Sequence, residues 1–219
     1  MKSGFRTALV LIAFGIASGA GLSTAAHAQD MERGRELFDL CASCHGAAGA
    51  GNQLYLAPVI AGLPLWYVEG QLTKFRDGGR GTHFDDQPGM RMRPMALSLR
   101  TEHGDDLKDV AAYVASLPVG AKPAPTLSGG DAAHGAVSYA VCQACHGAAG
   151  EGVPGTNAPP LAQQGDWYLL SSLQRFKSGV RGSSPTDANG AVMRGMAAIL
   201  PDEQAMKDVI AHITSLAGR

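Results

Sequence analysis

The clearest pattern of apolar and polar positions lies near the end of each half of the chain. Apolar residues recur there at spacings of three and four, which places them on one face of an α-helix. They are Leu107, Val110, Ala111, Val114 and Leu117 in the first half, and Met206, Val209, Ile210, Ile213 and Leu216 in the second. The pattern predicts an amphipathic helix at each place, with Thr101 and Asp202 as N-caps.

A further helix is predicted near the middle of each half. It runs from about Trp66 to Asp77 in the first half, and its counterpart in the second half has Asp166 as N-cap. The apolar positions on one face are Val68, Leu72 and Phe75, and then Leu169, Leu173 and Phe176. Asp131 is expected to cap another helix, which leads into Cys142. No alternating run indicates a strand, so the predicted fold class is all-α.

The two halves are copies of one unit, related by an offset of 101 residues. Trp66-Tyr67 matches Trp167-Tyr168, and Arg80-Gly81 matches Arg181-Gly182. Beyond Leu200 the offset falls to 99 residues, which a single two-residue deletion explains. Repeats of this length are whole domains rather than units of a solenoid.

A stretch rich in proline and glycine joins the two copies. Three prolines followed by Ser128-Gly129-Gly130 predict an extended, semi-rigid linker. The predicted limits are 29–118 for the first domain, 119–130 for the linker and 131–219 for the second domain. Each domain has about 90 residues, which is small for a self-sufficient core. A bound group is therefore expected to supply the missing apolar centre.

The first 28 residues have the pattern of a secretory signal peptide. Lys2 and Arg6 precede a short apolar run, and Ala26-His27-Ala28 forms a small-x-small cleavage site. The run is short for a transmembrane span, although an uncleaved anchor is the alternative. The mature chain is predicted to start near Gln29 and to be exported to the periplasm.

Cleavage would make the protein slightly more acidic. Residues 1–28 hold two basic residues and no acidic one, so 16 basic residues face 19 acidic ones and the net charge changes from −1 to −3. The chain has no basic stripe, which argues against nucleic acid as a partner. A mildly acidic surface is compatible with docking onto a basic patch of a redox protein.

The sequence Cys-x-x-Cys-His occurs twice, as Cys41-Ala42-Ser43-Cys44-His45 and Cys142-Gln143-Ala144-Cys145-His146. It is the attachment signal for c-type haem, in which both thiols form thioethers and the histidine binds the iron. A redox dithiol needs no adjacent histidine, and a zinc site would have to join segments 101 residues apart. The motifs hold all 4 cysteines. They predict two covalently bound haem c groups, with thioethers at Cys41, Cys44, Cys142 and Cys145 and iron ligation by His45 and His146.

The sixth iron ligand separates electron transfer from catalysis. A methionine sulfur closes the coordination shell, whereas an open position admits small molecules. The candidates are expected in a loop between the middle and last helices, and they are Met90, Met92, Met95, Met193 and Met196. Met90 is the weakest because it aligns with Ala191. The repeat matches Met92 with Met193 and Met95 with Met196, so it leaves both pairs open.

The chain resembles the di-haem cytochrome c4 family over nearly all of its predicted mature length. The resemblance rests on both Cys-x-x-Cys-His-Gly motifs and on residues 161–170 (LAQQGDWYLL) and 173–181 (LQRFKSGVR). It implies two tandem class I cytochrome c domains, each a small helical fold wrapped around one covalent haem. It also implies Met92 and Met193 as axial ligands, seven residues before Leu99 and Leu200. By the same resemblance, the carbonyls of Pro58 and Pro159 accept hydrogen bonds from the haem-binding histidines.

Two further features bear on the haem surroundings. Arg80 and Arg181 are candidates to pair with haem propionates, since arginine pairs well with carboxylates; exposed loop charges are the alternative. The first domain departs from the family pattern, because Gly62-Leu63-Pro64-Leu65 replaces Gln163-Gln164-Gly165-Asp166. The start of its middle helix is therefore expected to differ.

These observations together predict an electron carrier rather than an enzyme. Two haems with closed coordination leave no substrate site, and the chain has no Ser-His-Asp set, carboxylate pair or nucleotide loop. The resemblance implies electron transfer between the two haems, a quinol-oxidising complex or a dehydrogenase as donor, and a terminal oxidase as acceptor. The alternatives are a haem subunit of a periplasmic oxidoreductase complex and a di-haem enzyme such as a peroxidase. Export also allows loose association with the membrane.

Overall fold

The computed structural model describes Met1 and residues 29–102 and 105–216. These residues form two tandem helical domains and contain no strand, only two isolated β-bridges. The helices are α1 Met31–His45, α2 Leu65–Arg76, α3 Gln87–Leu97 and α4 Asp106–Ser116 in the first domain, and α5 Ala132–His146, α6 Asp166–Lys177, α7 Ala188–Ala198 and α8 Glu203–Ser215 in the second. The predicted all-α fold class is confirmed. Apart from Met1, the predicted signal peptide lies outside the described residues.

The first and last helices of each domain pack closely, and a glycine lies at each contact. A Cβ atom at Gly34 of α1 would lie 2.3 Å from the carbonyl oxygen of Asp109 on α4. A Cβ atom at Gly135 of α5 would lie 1.9 Å from the carbonyl oxygen of Asp208 on α8. No side chain fits at either position without movement of the backbone, because such contacts are far below van der Waals separation.

The predicted apolar faces of α4 and α8 form the two cores. The buried residues on these faces are Leu107, Val110, Ala111 and Val114, and Met206, Val209, Ile210 and Ile213. Phe38 of α1 and Tyr139 of α5 pack against them. The Tyr139 hydroxyl also donates a hydrogen bond of 2.7 Å to the Gly147 carbonyl. Each domain thus has its own apolar core between its first and last helices.

Two of the four predicted N-caps are confirmed and two are wrong. Asp131 caps α5 and accepts hydrogen bonds from the N–H groups of Ala133 and His134, and Asp202 caps α8 and accepts one from the N–H of Ala205. Thr101 caps no helix, because α4 begins later, at Asp106, with Asp105 as its N-cap.

Asp166 does not cap α6 as predicted; Gly165 is in the N-cap position and Asp166 is the first helical residue. Its buried carboxylate instead holds the segment that joins the domains. It accepts hydrogen bonds from the backbone N–H groups of Thr126, at 2.6 Å, and Leu127, at 2.7 Å. Lys122 of the same segment donates to the carbonyl groups of Thr214 and Leu216. The connecting segment is therefore attached to the second domain.

The start of α2 in the first domain differs from that of α6, as its different sequence predicts. Leu65 takes the place of Asp166 and its side chain offers no acceptor, while neither helix has a side-chain cap. Among the residues described, no helix is both long and apolar enough to cross a bilayer.

The methionine-rich segments are helices, α3 and α7, rather than the predicted loops. Asp86 and Asp187 cap them, accepting hydrogen bonds from the N–H groups of Gly89 and Gly190. The helical pattern was hidden because α3 contains Pro94 in its interior and α7 contains several weak helix formers.

The glycine contact between α5 and α8 predicts a large effect of adding one methyl group. We expect Gly135→Ala to lower the free energy of unfolding by about 2–3 kcal/mol, because the backbones must separate. Gly195→Ala in α7 is the matched control, since a Cβ atom there meets nothing within 4 Å. It should be neutral or stabilise by up to about 1 kcal/mol, owing to the higher helix propensity of alanine. Chemical denaturation of both holoproteins measures the difference, and equal effects would contradict the close contact.

Candidate haem sites

The last turn of the first helix of each domain carries the Cys-x-x-Cys-His motif. In α1, Cys41 is three residues before Cys44 and four before His45, a spacing that places these side chains close together on the helix surface. The helix ends at Gly46, whose φ of +80° lies in the left-handed region, and whose N–H donates to the Ala42 carbonyl. The second domain repeats this arrangement at the end of α5.

Both histidines of the motifs are buried and held by a proline carbonyl. Nδ1 of His45 lies 2.9 Å from the oxygen of Pro58, and Nδ1 of His146 lies 2.9 Å from that of Pro159. A carbonyl oxygen only accepts hydrogen bonds, so Nδ1 carries the hydrogen and the lone pair of Nε2 is available to a metal. Burial lowers the pKa of both imidazoles, which favours the neutral form that binds iron.

The first thiol of each motif lacks the low pKa of a redox-active cysteine. Burial raises the pKa of Cys41 to about 11 and also raises the pKa of Cys142. Reactive dithiols need the opposite shift, because the thiolate is the nucleophile. Within residues 29–102 and 105–216, no cluster of three or more His, Cys, Asp or Glu side chains could hold a metal ion. The geometry therefore gives no support to the redox-dithiol or zinc interpretation.

One cavity of about 980 Å³ extends across both domains and is lined by both motifs. His45 lies on its wall in the first domain and His146 on its wall in the second. Apolar side chains such as Leu72 and Leu173 make up much of the lining. A large apolar cavity with a few polar groups is typical of a cofactor site.

Arg80 and Arg181 also line this cavity, and neither is exposed. Their guanidinium groups lie 4.3 Å from the ring centroids of Phe75 and Phe176, so the interpretation as exposed loop charges is wrong. The Nε atoms of both arginines are buried and have no hydrogen-bond acceptor among the described residues. Such donors need acceptors, and haem propionates would supply them. The thiols, imidazoles and guanidinium groups present thus fit a bound haem in each domain.

The predicted methionine ligands line the same cavity as their competitors. Met92 and Met193 are half-buried. Met95 is 37 % exposed, whereas Met196 is half-buried like Met193. Exposure does not decide between the members of either pair, because a ligating methionine would itself face this cavity.

Four charged residues at the domain interface were not predicted from the sequence. Lys74 of α2 forms an ion pair of 2.6 Å with Asp187, and Arg175 of α6 lies 3.7 Å from Asp86. The sequence carried a signal for them, because Lys74 matches Arg175 and Asp86 matches Asp187 at the offset of 101 residues. The two ion pairs therefore join the same matched positions, with the cation and the aspartate exchanged between the domains.

Gln164 makes a third contact across the interface. Its Nε2 donates a hydrogen bond of 2.7 Å to the backbone oxygen of Val59. The matched residue of the first domain is Leu63, which cannot return this bond. In the polar stretch of the second domain, Gln164 thus contacts the first domain and Asp166 binds the connecting segment.

Comparison with known proteins agrees with this geometry. The cytochrome c family model matches residues 31–118 and 132–217. The thiosulfate dehydrogenase electron acceptor of Stutzerimonas stutzeri is 33% identical over 185 residues, which cover 79% of this chain and 78% of that protein.

Two solved structures are similar to most of this chain. Reduced recombinant cytochrome c4 from Pseudomonas stutzeri has a TM-score of 0.66 and 25% identity, with 86% of this chain and 100% of that chain covered. The thiosulfate dehydrogenase of Marichromatium purpuratum has a TM-score of 0.67 and 31% identity over 85% of this chain, which spans 40% of that chain. The predicted pair of covalent haem c groups is confirmed, and the chain belongs to the cytochrome c family as a di-haem electron carrier of the cytochrome c4-like type.

Proposed function

We propose that this di-haem cytochrome takes electrons from a periplasmic dehydrogenase and delivers them to a terminal oxidase. The observation that carries the proposal is the single cavity lined by both haem-binding motifs. Bound haem supplies a one-electron ferric–ferrous couple. His45 and His146 line the same apolar cavity, so they would hold the two haems in one shared apolar environment.

The ligand set follows from the resemblance and the arrangement of the chain's own groups. Met92 and Met193 would supply the sixth ligands, and Arg80 and Arg181 would pair with propionates. The carbonyls of Pro58 and Pro159 orient the two imidazoles. Protein side chains would then close both coordination shells, which would leave no open position for a substrate.

The remaining organisation is proposed from the sequence pattern. Residues 1–28 are a cleaved signal peptide that exports the chain to the periplasm. Residues 29–118 and 131–219 are the two haem domains, and 119–130 join them.

The relatives favour one kind of donor. The thiosulfate dehydrogenase electron acceptor of Stutzerimonas stutzeri is 33% identical to this chain, so a thiosulfate dehydrogenase is the first donor to test. A quinol-oxidising complex is the second. The match to part of a longer thiosulfate dehydrogenase chain favours an alternative, a haem subunit of an oxidoreductase complex.

The Cys-x-x-Cys-His motifs predict the haem content of each domain separately. Mass spectrometry of the exported protein should give a chain starting near Gln29 plus two haem masses. The Cys41→Ala/Cys44→Ala variant should lose one haem and keep the other, because each domain has its own core. Loss of both haems from this variant would contradict independent haem binding.

The proposed sixth ligands predict which methionines control the iron. Met92→Ala should lower the potential of the first haem and let carbon monoxide bind to its reduced form, and Met193→Ala should do the same for the second haem. Absorption spectra and redox titration measure both effects. The controls Met95→Ala and Met196→Ala should keep nearly native spectra. If the spectra change in Met95→Ala and Met196→Ala but not in Met92→Ala and Met193→Ala, the ligand assignment is reversed. Rapid carbon monoxide binding by the unmutated protein would contradict the function of an electron carrier.

The proposed donor is tested by anaerobic mixing of the oxidised protein with thiosulfate dehydrogenase and thiosulfate. We expect reduction of both haems, so two electrons per chain, and no reduction by thiosulfate alone. The Cys142→Ala/Cys145→Ala variant is the control and should accept one electron. Catalytic thiosulfate oxidation by the cytochrome itself would show an enzyme instead. Reduction only by a quinol-oxidising complex would exclude the proposed donor and retain the carrier.

A further inference from the structure

The two ion pairs between the domains end on carboxylates that have a second partner. Asp187 caps α7 and accepts a hydrogen bond of 2.9 Å from the N–H of Gly190. Asp86 caps α3 and accepts one of 3.2 Å from the N–H of Gly89. An N-cap carboxylate satisfies free N–H groups and interacts favourably with the positive end of the helix dipole. Each aspartate therefore connects a helix of its own domain to a cation of the other domain.

The capped helices are the ones that carry the methionines. Met92 lies six residues after Asp86, and Met193 lies six residues after Asp187. Six residues are about 1.7 helical turns, so the position of the first turn determines the position of the methionine.

Because these carboxylates are buried, their negative charge is stable only while they are paired and hydrogen-bonded. Asp86 is 3 % exposed and Asp187 is 2 % exposed. A buried charge is unfavourable unless it is paired and hydrogen-bonded. Loss of Lys74 would remove the cation that pairs with the Asp187 carboxylate and would favour movement of this carboxylate toward water, away from the first turn of α7.

We propose that Lys74 and Arg175 are positioning residues that act across the domain interface. Each keeps the capping aspartate of the other domain in place, and so fixes the helix that carries the methionine ligand of that other domain. The effect on the haems rests on the proposed ligation by Met92 and Met193. The sixth ligand of each haem is thus retained partly by the neighbouring domain.

The two contacts differ in length, which sets the expected asymmetry. Lys74 approaches Asp187 to 2.6 Å, whereas Arg175 is 3.7 Å from Asp86. The dependence of α7 on the first domain should therefore exceed the dependence of α3 on the second.

The test is amide hydrogen exchange of the di-haem protein, followed by mass spectrometry. Lys74→Met should accelerate exchange in the first turns of α7 by at least about tenfold and leave α3 of its own domain unchanged. Arg175→Met should accelerate exchange in α3 to a smaller extent and leave α7 unchanged. In the Lys74→Met protein, carbon monoxide should also bind to the second haem rather than the first.

Rescue distinguishes this role from general loss of packing. Asparagine caps a helix as well as aspartate does and carries no charge. Adding Asp187→Asn to Lys74→Met should therefore restore most of the protection of α7. Lys74→Arg, which keeps the positive charge, should resemble the unmutated protein.

Two matched controls leave both ion pairs intact. Gln164→Leu removes the hydrogen bond to Val59 and introduces the residue type found at the matched position 63. Lys108→Met removes a cation of the first domain that pairs with Asp105 of the same domain at 2.8 Å. Neither should accelerate exchange in α7.

The proposal is overturned by equal acceleration of α3 and α7 in Lys74→Met, by the same acceleration in Gln164→Leu, or by failure of Asp187→Asn to rescue. Acceleration confined to α7 in Lys74→Met and to α3 in Arg175→Met supports it. If that pattern appears while Met193→Ala leaves the second haem closed to carbon monoxide, the cross-domain restraint stands and the ligand assignment is wrong.

Discussion

The close contact between the first and last helices of each domain is the constraint on which the haem sites depend. It sets where the Cys-x-x-Cys-His turn lies relative to the core, because that turn ends the first helix. The start of the helix is held as well, since the N–H of Asp30 donates to Asp109 and that of Asp131 donates to Asp208, both at 2.8 Å. With the helix fixed at both ends, the following loop returns to place a proline carbonyl against the imidazole.

The interface between the domains also brings the arginine of each domain close to a tyrosine of the other. Arg181 interacts with Tyr67 of the first domain, and Arg80 interacts with Tyr168 of the second. Burial, with a smaller effect of Tyr168, raises the pKa of Tyr67 and keeps its hydroxyl protonated at neutral pH. Burial and the nearby Arg181 charge lower the pKa of Arg80. Asp86 lies close enough to Arg80 to favour its charged form, and propionates, if bound there, would add further negative charge beside both arginines.

Local patterns predicted most of the fold, because they report interactions within a few residues or within one helix face. The stripe ending at Leu117, the cap at Asp202 and both haem motifs are of this kind. The helices α3 and α7 were missed because Pro94 in one and weak helix formers in the other conceal a pattern that the capping aspartates sustain. Asp166 was misassigned because its partners are about 40 residues away along the chain. The ion pair between Lys74 and Asp187 exists only once both domains are in contact, and no local signal encodes that.

The two domains meet through reciprocal contacts, yet their sequences can change separately because they belong to one chain. Each of the two ion pairs joins the cation of one domain to the aspartate of the other, at matched positions. Such reciprocal contacts have the form of an isologous interface between identical subunits. In a homodimer every substitution at such a surface would be made twice, and assembly would depend on concentration. A covalent tether replaces that dependence with a fixed effective concentration and lets each copy change alone. Gln164, bonded to Val59 where Leu63 offers nothing in return, is a substitution that only a tandem chain can make singly.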